Sequence, residues 1–230
     1  MKKIVFFTGS GISKAAGIPT FREASEGLWE NYDPTEVCVE GCLWRNPEKA
    51  YGFYTYLHSI FQTAQPTEAH RIIAALEGEE NSELVVITQN VDDLHEKSGS
   101  TKVIHLHGEL SKIQAVDDPS WIKPWDFSVV MHEDTIIEGH KIRPGVVMFG
   151  ESVDNMEEAI EETKGATHFI IIGTSLTVYP AASLLDYVRP EAEVFYIDPS
   201  PNTNVHGVNT FLWMTAEEGL KHIIKNGLLE

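Results

Sequence analysis

Five short apolar runs punctuate the chain, "KIVFFTGSG", "ELVVITQN", "KVIHLHGE", "THFIIIGTSL" and "EVFYIDPSPN", each closed by glycine or polar residues. Valine, isoleucine and phenylalanine follow one another in them without polar alternation. That is the signature of strands buried on both faces, and hence of a parallel sheet covered by helices. Between the runs the period changes: in "PTEAHRIIAALEGEE", Ala69, Ile72, Ile73 and Leu76 fall on one side of a helix. The pattern predicts an α/β fold, a doubly wound, Rossmann-like parallel sheet with helices on both faces.

Polar groups gather where the runs end, at Gly9-Ser10-Gly11, Gln89-Asn90-Val91-Asp92, His107-Gly108, Gly173-Thr174-Ser175 and Asp198. In an open parallel sheet the crevice lies outside the carboxyl ends of the strands, so these separated clusters are expected to converge. Two stretches fit the sheet poorly. Residues 23–65 carry aromatic and charged residues in a helical pattern ("NPEKAYGFYTYLHSIF"), and residues 109–141 set prolines beside tryptophans with no long apolar run. Both are expected to be insertions that pack into a small second domain over the crevice, leaving 1–22, 66–108 and 142–230 for the sheet domain.

Composition narrows the partners. The 230 residues include 35 acidic against 17 basic side chains, a net charge of −18, which would repel nucleic-acid phosphates. No apolar run is long enough for a membrane span, so neither nucleic acid nor membrane is an expected partner. The opening "MKKIVFFTGS" turns glycine-rich directly after Phe7, which reads as a first strand and not as a signal peptide. Cys38 and Cys42 are the only cysteines, too few for a disulfide framework or a four-cysteine zinc site, and fit a reducing cytoplasm.

Candidate chemistry sits in three places. "TGSGISKAAGIPTFR" follows the first run and is expected to open a helix, with Gly9 and Gly11 letting backbone approach a phosphate; a plain strand-to-helix turn is the alternative. Asp198 ends the last run, where a carboxylate can accept the hydroxyls of an adenosine ribose and favour NAD over NADP, or can simply form a turn before Pro199. In "VIHLHGEL", alternation along a strand would place His105 and His107 on one face, as a metal pair, a base, or buried imidazoles. A metal reading needs further ligands, for which only His132 and His140 lie nearby in sequence.

Taken together the motifs resemble those of the sirtuins, the NAD-dependent protein deacylases, over nearly the whole chain. "GSGISKAAGIPTFR" with "GLW" is similar to the family's first cofactor loop, "TQNVDDLH" to its nicotinamide-pocket motif, and "LHGEL" to its catalytic-histidine motif. "IRPGVVMFGE" is similar to the acyl-lysine tunnel segment, and "GTSLTVYPAA" to the second ribose and peptide-binding segment. The resemblance implies that His107 is the general base acting on the nicotinamide ribose, while Asn90 holds that ribose and positions a water. Asp92 and the backbone of Ile18 would recognise the nicotinamide carboxamide, and Phe21 and Arg22 would cap the cofactor. Gly9, Ser10, Gly11, Gln89, Gly173, Thr174, Ser175 and Asp198 would complete the NAD site. Val147, Phe149, Gly150, Glu151 and Val178 would meet an acyl-lysine protein or peptide.

Two departures stand out. Between His107 and Arg143 the family normally carries two cysteine pairs for structural zinc, and this chain has no cysteine there, so no zinc is expected and Trp121, Trp125 and Phe127 are left to hold the segment. "PTFR" has Thr20 where most of the family has Asp, a feature of the branch that removes acidic acyl groups. That branch pairs a tyrosine with an arginine three residues on, whereas here Tyr54 is followed by Leu57. With Cys38 also placed on the acyl channel by the resemblance, an apolar acyl chain is expected. The resemblance implies removal of an acyl group from protein lysine with release of nicotinamide and O-acyl-ADP-ribose. ADP-ribosyl transfer or NAD hydrolysis on the same scaffold is one alternative, and a non-catalytic NAD-binding sensor another.

Overall fold

The computed structural model describes residues 2–20, 28–78, 82–126 and 128–229. From the N-terminus, β1 (Lys2–Thr8) leads into two short 3-10 turns, Ser10–Ile12 and Lys14–Ala16. Four helices follow, α1 (Leu28–Asn31), α2 (Pro34–Val37), α3 (Cys42–Arg45) and the long α4 (Pro47–Thr63). Then come α5 (Glu68–Leu76), β2 (Ser82–Thr88), α6 (Leu94–Ser98) and β3 (Val103–His105). The strands β4 (Gly108–Ala115), β5 (Ile122–Pro124), β6 (Ile136–Ile137) and β7 (His140–Val146) come next. The chain closes through α7 (Met156–Gly165), β8 (His168–Ile172), a 3-10 segment at Ala181–Tyr187, β9 (Glu193–Ile197), β10 (Thr210–Leu212) and α8 (Ala216–Lys225).

One sheet has the order β10-β9-β8-β1-β2-β3, and all its pairings are parallel. The five apolar runs supply five of its strands. Their lack of alternation has a direct cause, because successive residues of each strand enter different cores. In β1, Val5 and Phe7 pack on one face with Ala159, Ala181 and Leu184, while Ile4 and Phe6 pack on the other with Ile73, Leu76, Leu220 and Ile223. Each such buried side chain contributes roughly 1.5–3 kcal/mol of transfer free energy, with or without polar neighbours in sequence. β10 escaped the sequence pattern, being a short edge strand with only Leu212 buried.

The other sheet is antiparallel, in the order β5-β4-β7-β6. It spans the stretch that shows no strand pattern and runs past its end, β7 continuing to Val146, and the missing pattern has a reason visible in β4. Leu110 and Ile113 both face inward although three residues apart, because the register with β7 shifts between Gly108 and Ile113. A third core joins the two insertions: Leu43, Tyr51, Phe53, Leu57 and Phe61 pack with Leu110, Ile113, Trp125, Met131 and Ile142. The ring of Trp125 stacks on His58 at 3.8 Å and 6°, its indole N–H donates to Val129 O at 2.9 Å, and the Tyr51 hydroxyl donates to Ile142 O at 3.1 Å. Trp121 is partly buried against the same core, whereas Phe127 lies outside the described residues. Cys38 and Cys42, although set in a polar stretch of sequence, are free and buried here.

Among the described residues no three histidine, cysteine or acidic side chains gather as metal ligands would, and no helix is long and apolar enough to cross a membrane. The side chains at the 109–141 sheet do not fit a four-thiolate zinc site. An aromatic core in that role should make the small sheet insensitive to chelation. A strong chelator is expected to leave the urea midpoint unchanged, elemental analysis to find no stoichiometric zinc, and Trp125→Ala to cost about 3–5 kcal/mol in equilibrium unfolding. One zinc per chain would contradict this account.

Candidate active site

The predicted convergence occurs. A cavity of about 930 Å³ opens at the carboxyl ends of the parallel strands and is lined by Gly9, Ser10, Gly11, Gln89, Asn90, His107, Gly173, Thr174, Ser175 and Asp198, all from separate strand ends. No α-helix starts after β1, contrary to expectation. The loop turns twice in 3-10 geometry and ends at Gly17, whose φ of +81° closes the second turn in the left-handed region that glycine tolerates. The glycines also do more than approach a ligand. Gly9 N–H donates to Ile172 O and Gly11 N–H to Gly173 O, both at 2.9 Å. A Cβ on Gly11 would lie 2.6 Å from the Gly173 Cα, and one on Gly9 would lie 2.7 Å from the Gly173 carbonyl.

The loop after β2 is held from several sides. Gln89 Nε2 donates to Thr174 Oγ1 at 2.8 Å, and the Asn90 amide group donates to Gly9 O at 3.3 Å and Ser13 Oγ at 3.2 Å. Ser13 Oγ passes its own proton to Asp92 Oδ2 at 2.9 Å, and Leu94 N–H donates to the other Asp92 oxygen at 3.2 Å. Asp92 is buried, and burial raises its pKa to about 6 against the lowering effect of these two hydrogen bonds. Asp92 and Ile18 do not line the main cavity. They meet in a small adjoining recess with Pro19, Leu28 and Phe61, which shares Ser10, Leu57, Asn90 and Val91 with the cavity.

The two histidines do not share a strand, as alternation had implied. β3 ends at His105, and His107 stands in the turn before Gly108, whose φ is +73°. His107 Nδ1 lies 2.9 Å from Gln89 O. A carbonyl only accepts, so Nδ1 carries the proton and Nε2 of the neutral ring keeps its lone pair. Burial lowers the His107 pKa, opposed by the Gln89 hydrogen bond, so the ring is neutral at pH 7. Asp198 forms the turn, accepting from Ser200 N–H at 2.7 Å, and also lines the cavity with its pKa raised by burial.

The opposite wall gathers Cys38, Tyr54, Leu57, Val147, Phe149, Gly150, Glu151 and Val178. Phe149 pairs with the 38–40 segment, its N–H donating to Cys38 O and its carbonyl accepting from Glu40 N–H, both at 2.8 Å. Burial pushes the Cys38 thiol up to about 12, and Tyr54 Oη lies 3.6 Å from it. The Glu151 carboxylate is engaged by Arg143 at 2.6 and 2.9 Å and by Met148 N–H at 2.9 Å, which fixes the loop that carries Phe149 and Gly150. Phe21 and Arg22 lie outside the described residues. Three contributors escaped the sequence reading. Ser13 sits unremarked inside a glycine motif. Glu96, which the His105 ring reaches, carries no sequence signal. The Thr215–Glu217 edge of the cavity was signalled solely by the capping pattern "TAEE".

A model of the Sir2 family matches residues 9–180, from the first glycine of the cavity loop to just beyond Val178. The chain belongs to the Sir2 family. A curated NAD-dependent protein deacylase of Bacteroides thetaiotaomicron is 40% identical over 97% of both chains. Another from Helicobacter pylori is 42% identical over 90% of this chain and 88% of that protein. Among solved structures, a Sir2 homologue in complex with NAD aligns with a TM-score of 0.87 at 34% identity, covering 98% of this chain and 89% of that one. A Sir2 homologue bound to ADP-ribose gives 0.86 at 33%, covering 100% and 94%. In this Sir2 chain the family model ends before Asp198 and the Thr215–Glu217 edge, which the full-length relatives and structures still cover. Titration of Asp92 followed by carboxyl carbon shifts is expected to show a midpoint near 6. Ser13→Ala, by deleting a hydrogen bond to the ionised form, should move that midpoint upward; a downward move would break the assignment.

Proposed function

We infer that the protein is an NAD-dependent protein-lysine deacylase that transfers the acyl group to ADP-ribose, releasing nicotinamide and O-acyl-ADP-ribose. The curated relatives support the reaction class. The observation that carries the residue-level reading is the His107 imidazole, pinned through Nδ1 so that an unprotonated Nε2 is left beside a cavity with phosphate-type loops on one side and an apolar wall on the other. NAD is a co-substrate here. Its diphosphate suits the side-chain-free backbone of Gly9, Gly11 and Gly173, its adenosine ribose suits Asp198, and its nicotinamide suits the recess at Ile18 and Asp92. We take Asn90, Gln89 and Thr174 to surround the second ribose. As nicotinamide leaves, the acyl oxygen of the substrate bonds to the anomeric carbon, a step favoured by exclusion of water. His107 then takes the proton of a ribose hydroxyl, whose oxygen attacks the acyl carbon. The lysine amine departs with that proton, and a water adds to the cyclic acyl-ribose cation that remains, giving O-acyl-ADP-ribose and a proton. On this reading residues 1–22, 66–108 and 142–230 form the NAD-binding unit, and 23–65 with 109–141 form a unit that closes over it. The two free cysteines favour a cytoplasmic setting.

The deciding measurement is mass spectrometry of a panel of acyl-lysine peptides incubated with NAD. Acyl-ADP-ribose is the expected product; labelled protein or free ADP-ribose alone would favour the transferase or hydrolase reading, and unchanged NAD a sensor. His107→Ala should lower turnover by about a hundredfold or more while NAD binding stays near wild type. In the parent, the acid limb of kcat/KM should fall below pH 6.5, because burial lowers the His107 pKa. Turnover of the variant at the wild-type rate would overturn the base assignment.

The acyl wall generates a separate expectation. Burying a carboxylate between Leu57 and a protonated Cys38 thiol leaves it without a cation, whereas an apolar chain gains about 0.8 kcal/mol per buried methylene. Acetyl-, propionyl- or butyryl-lysine should be preferred over succinyl-lysine, and Leu57→Arg should shift the ratio of specificity constants toward succinyl. A wild-type preference for succinyl-lysine would make Thr20 the better guide.

A further inference from the structure

The His105 side chain has no task in the reaction above, yet it is buried and fully engaged next to the site. Its Nδ1 lies 3.0 Å from Asn90 O and its Nε2 lies 2.8 Å from Glu96 Oε1. Its own carbonyl accepts from Asn155 Nδ2 at 2.9 Å, so the backbone behind the ring is fixed as well. Strand pairing brings this about, since His105 lies level with Thr88, the last residue of β2, and the chain beyond each strand end runs side by side. From one short turn, therefore, His105 and His107 grip two successive carbonyls, Asn90 and Gln89.

We propose that the His105–Glu96 pair is a positioning device: one imidazole ties residue 90 to residue 96, and so closes the arc that holds Asp92 in the recess beside Ile18. Residues 90 and 96 are the two ends of the segment that turns from the β2 loop into α6, and the ring is the cross-link between them. Both of its partners are acceptors, a carbonyl and a carboxylate, so both nitrogens must carry protons. Only the imidazolium makes the clamp. A neutral ring has one N–H and must release either Asn90 or Glu96.

The surroundings favour the charged form. Burial alone would lower the His105 pKa, but the hydrogen bond and charge of Glu96, the charge of Glu109 on β4 and the Asn90 carbonyl outweigh it and raise it. Glu96 is lowered in return, the hydrogen bond and charge of His105 overcoming its burial. The other titratable groups around the ring are Asp92 in the arc, whose ionised form His105 favours, and His95 on α6, whose protonation it opposes. Glu109 is itself paired with Lys112. Because the folded pKa is raised, the clamp is complete below the ordinary histidine value and is lost as pH rises through the folded one. Opening it loosens the arc under Asp92. Given the reading of the recess as the nicotinamide site, on which this consequence rests, nicotinamide affinity should fall on the alkaline side while His107, already neutral, does not change state.

Two measurements test the clamp and keep it separable from the functional reading. Long-range proton–nitrogen spectra of the full chain should show His105 doubly protonated at pH 6.5 with a midpoint above that value. Amide exchange at residues 91–94 should accelerate in His105→Leu, and in the parent above the midpoint. A neutral His105 ring at pH 6.5, or unchanged exchange in His105→Leu, overturns the inference whatever the activity. Nicotinamide inhibition with an acyl-lysine peptide and NAD gives the functional readout. His105→Leu should weaken it about tenfold, the effect of one lost charge-assisted hydrogen bond. His105→Asn, whose amide can still donate to Asn90 O but no longer bridges to Glu96, should fall between the parent and His105→Leu and show no alkaline step; Glu96→Gln should move the step to lower pH. Equal weakening in the Leu and Asn variants, in proportion to lost thermal stability, would make the pair merely structural and overturn the proposal. A chain that passes the spectroscopic test but turns over no acyl peptide would refute the functional reading and leave the clamp standing.

Discussion

The constraint on which the cavity depends is the contact between the loops that end β1 and β8. Gly11 rests on Gly173 so tightly that neither position has room for a side chain, and the Gly11 N–H spans the gap to the Gly173 carbonyl. This contact is possible only because β1 and β8 are adjacent parallel strands that finish level, Thr8 opposite Ile172. It fixes the floor of the cavity, and Gln89, Asn90 and Thr174 then lock onto that floor through hydrogen bonds from the neighbouring strand ends. The polar side chains at the strand ends are therefore fixed to that floor and to one another.

Much of the sheet was legible because burial on both faces writes itself into the sequence as uninterrupted apolar runs, and the ends of those runs marked where the cavity would form. What escaped was structure without a local pattern. The antiparallel sheet was hidden by the irregular register of β4, where Leu110 and Ile113 both turn inward in defiance of simple alternation. The turn after β1 was misread as a helix start because glycine-rich loops serve both ends, and only the approach of Gly173, distant in sequence, tells them apart. Ser13, Glu96 and the Thr215–Glu217 edge were invisible for the same reason: each acquires its role from a partner brought by tertiary structure.

The small sheet shows how an insertion can close over a cavity on aromatic packing. Trp125 lies flat on His58 of α4, and Tyr51 of the same helix donates to the backbone of β7, so one helix face holds the sheet at two points. The same helix lines the cavity with Tyr54 and Leu57. Packing of α4 and the shape of the cavity are thus coupled, because any change that rotates α4 to suit its core also moves that lining.

The sequence "HLH" sets two imidazoles two residues apart, and the fold shifts their pKa values in opposite directions. Each donates through Nδ1 to a carbonyl of the same loop, and the difference lies entirely at Nε2. Glu96 stands opposite one ring, so it keeps a second proton; the cavity stands opposite the other, so its lone pair stays free. Neither state is a property of the tripeptide, for exchanging the environments would exchange the roles. A strand that ended one residue later would carry His107 away from the Gln89 carbonyl, and the tautomer protonated at Nδ1 would no longer be selected. The early end of β3 at His105 is therefore the local feature on which the division of labour between the two histidines depends.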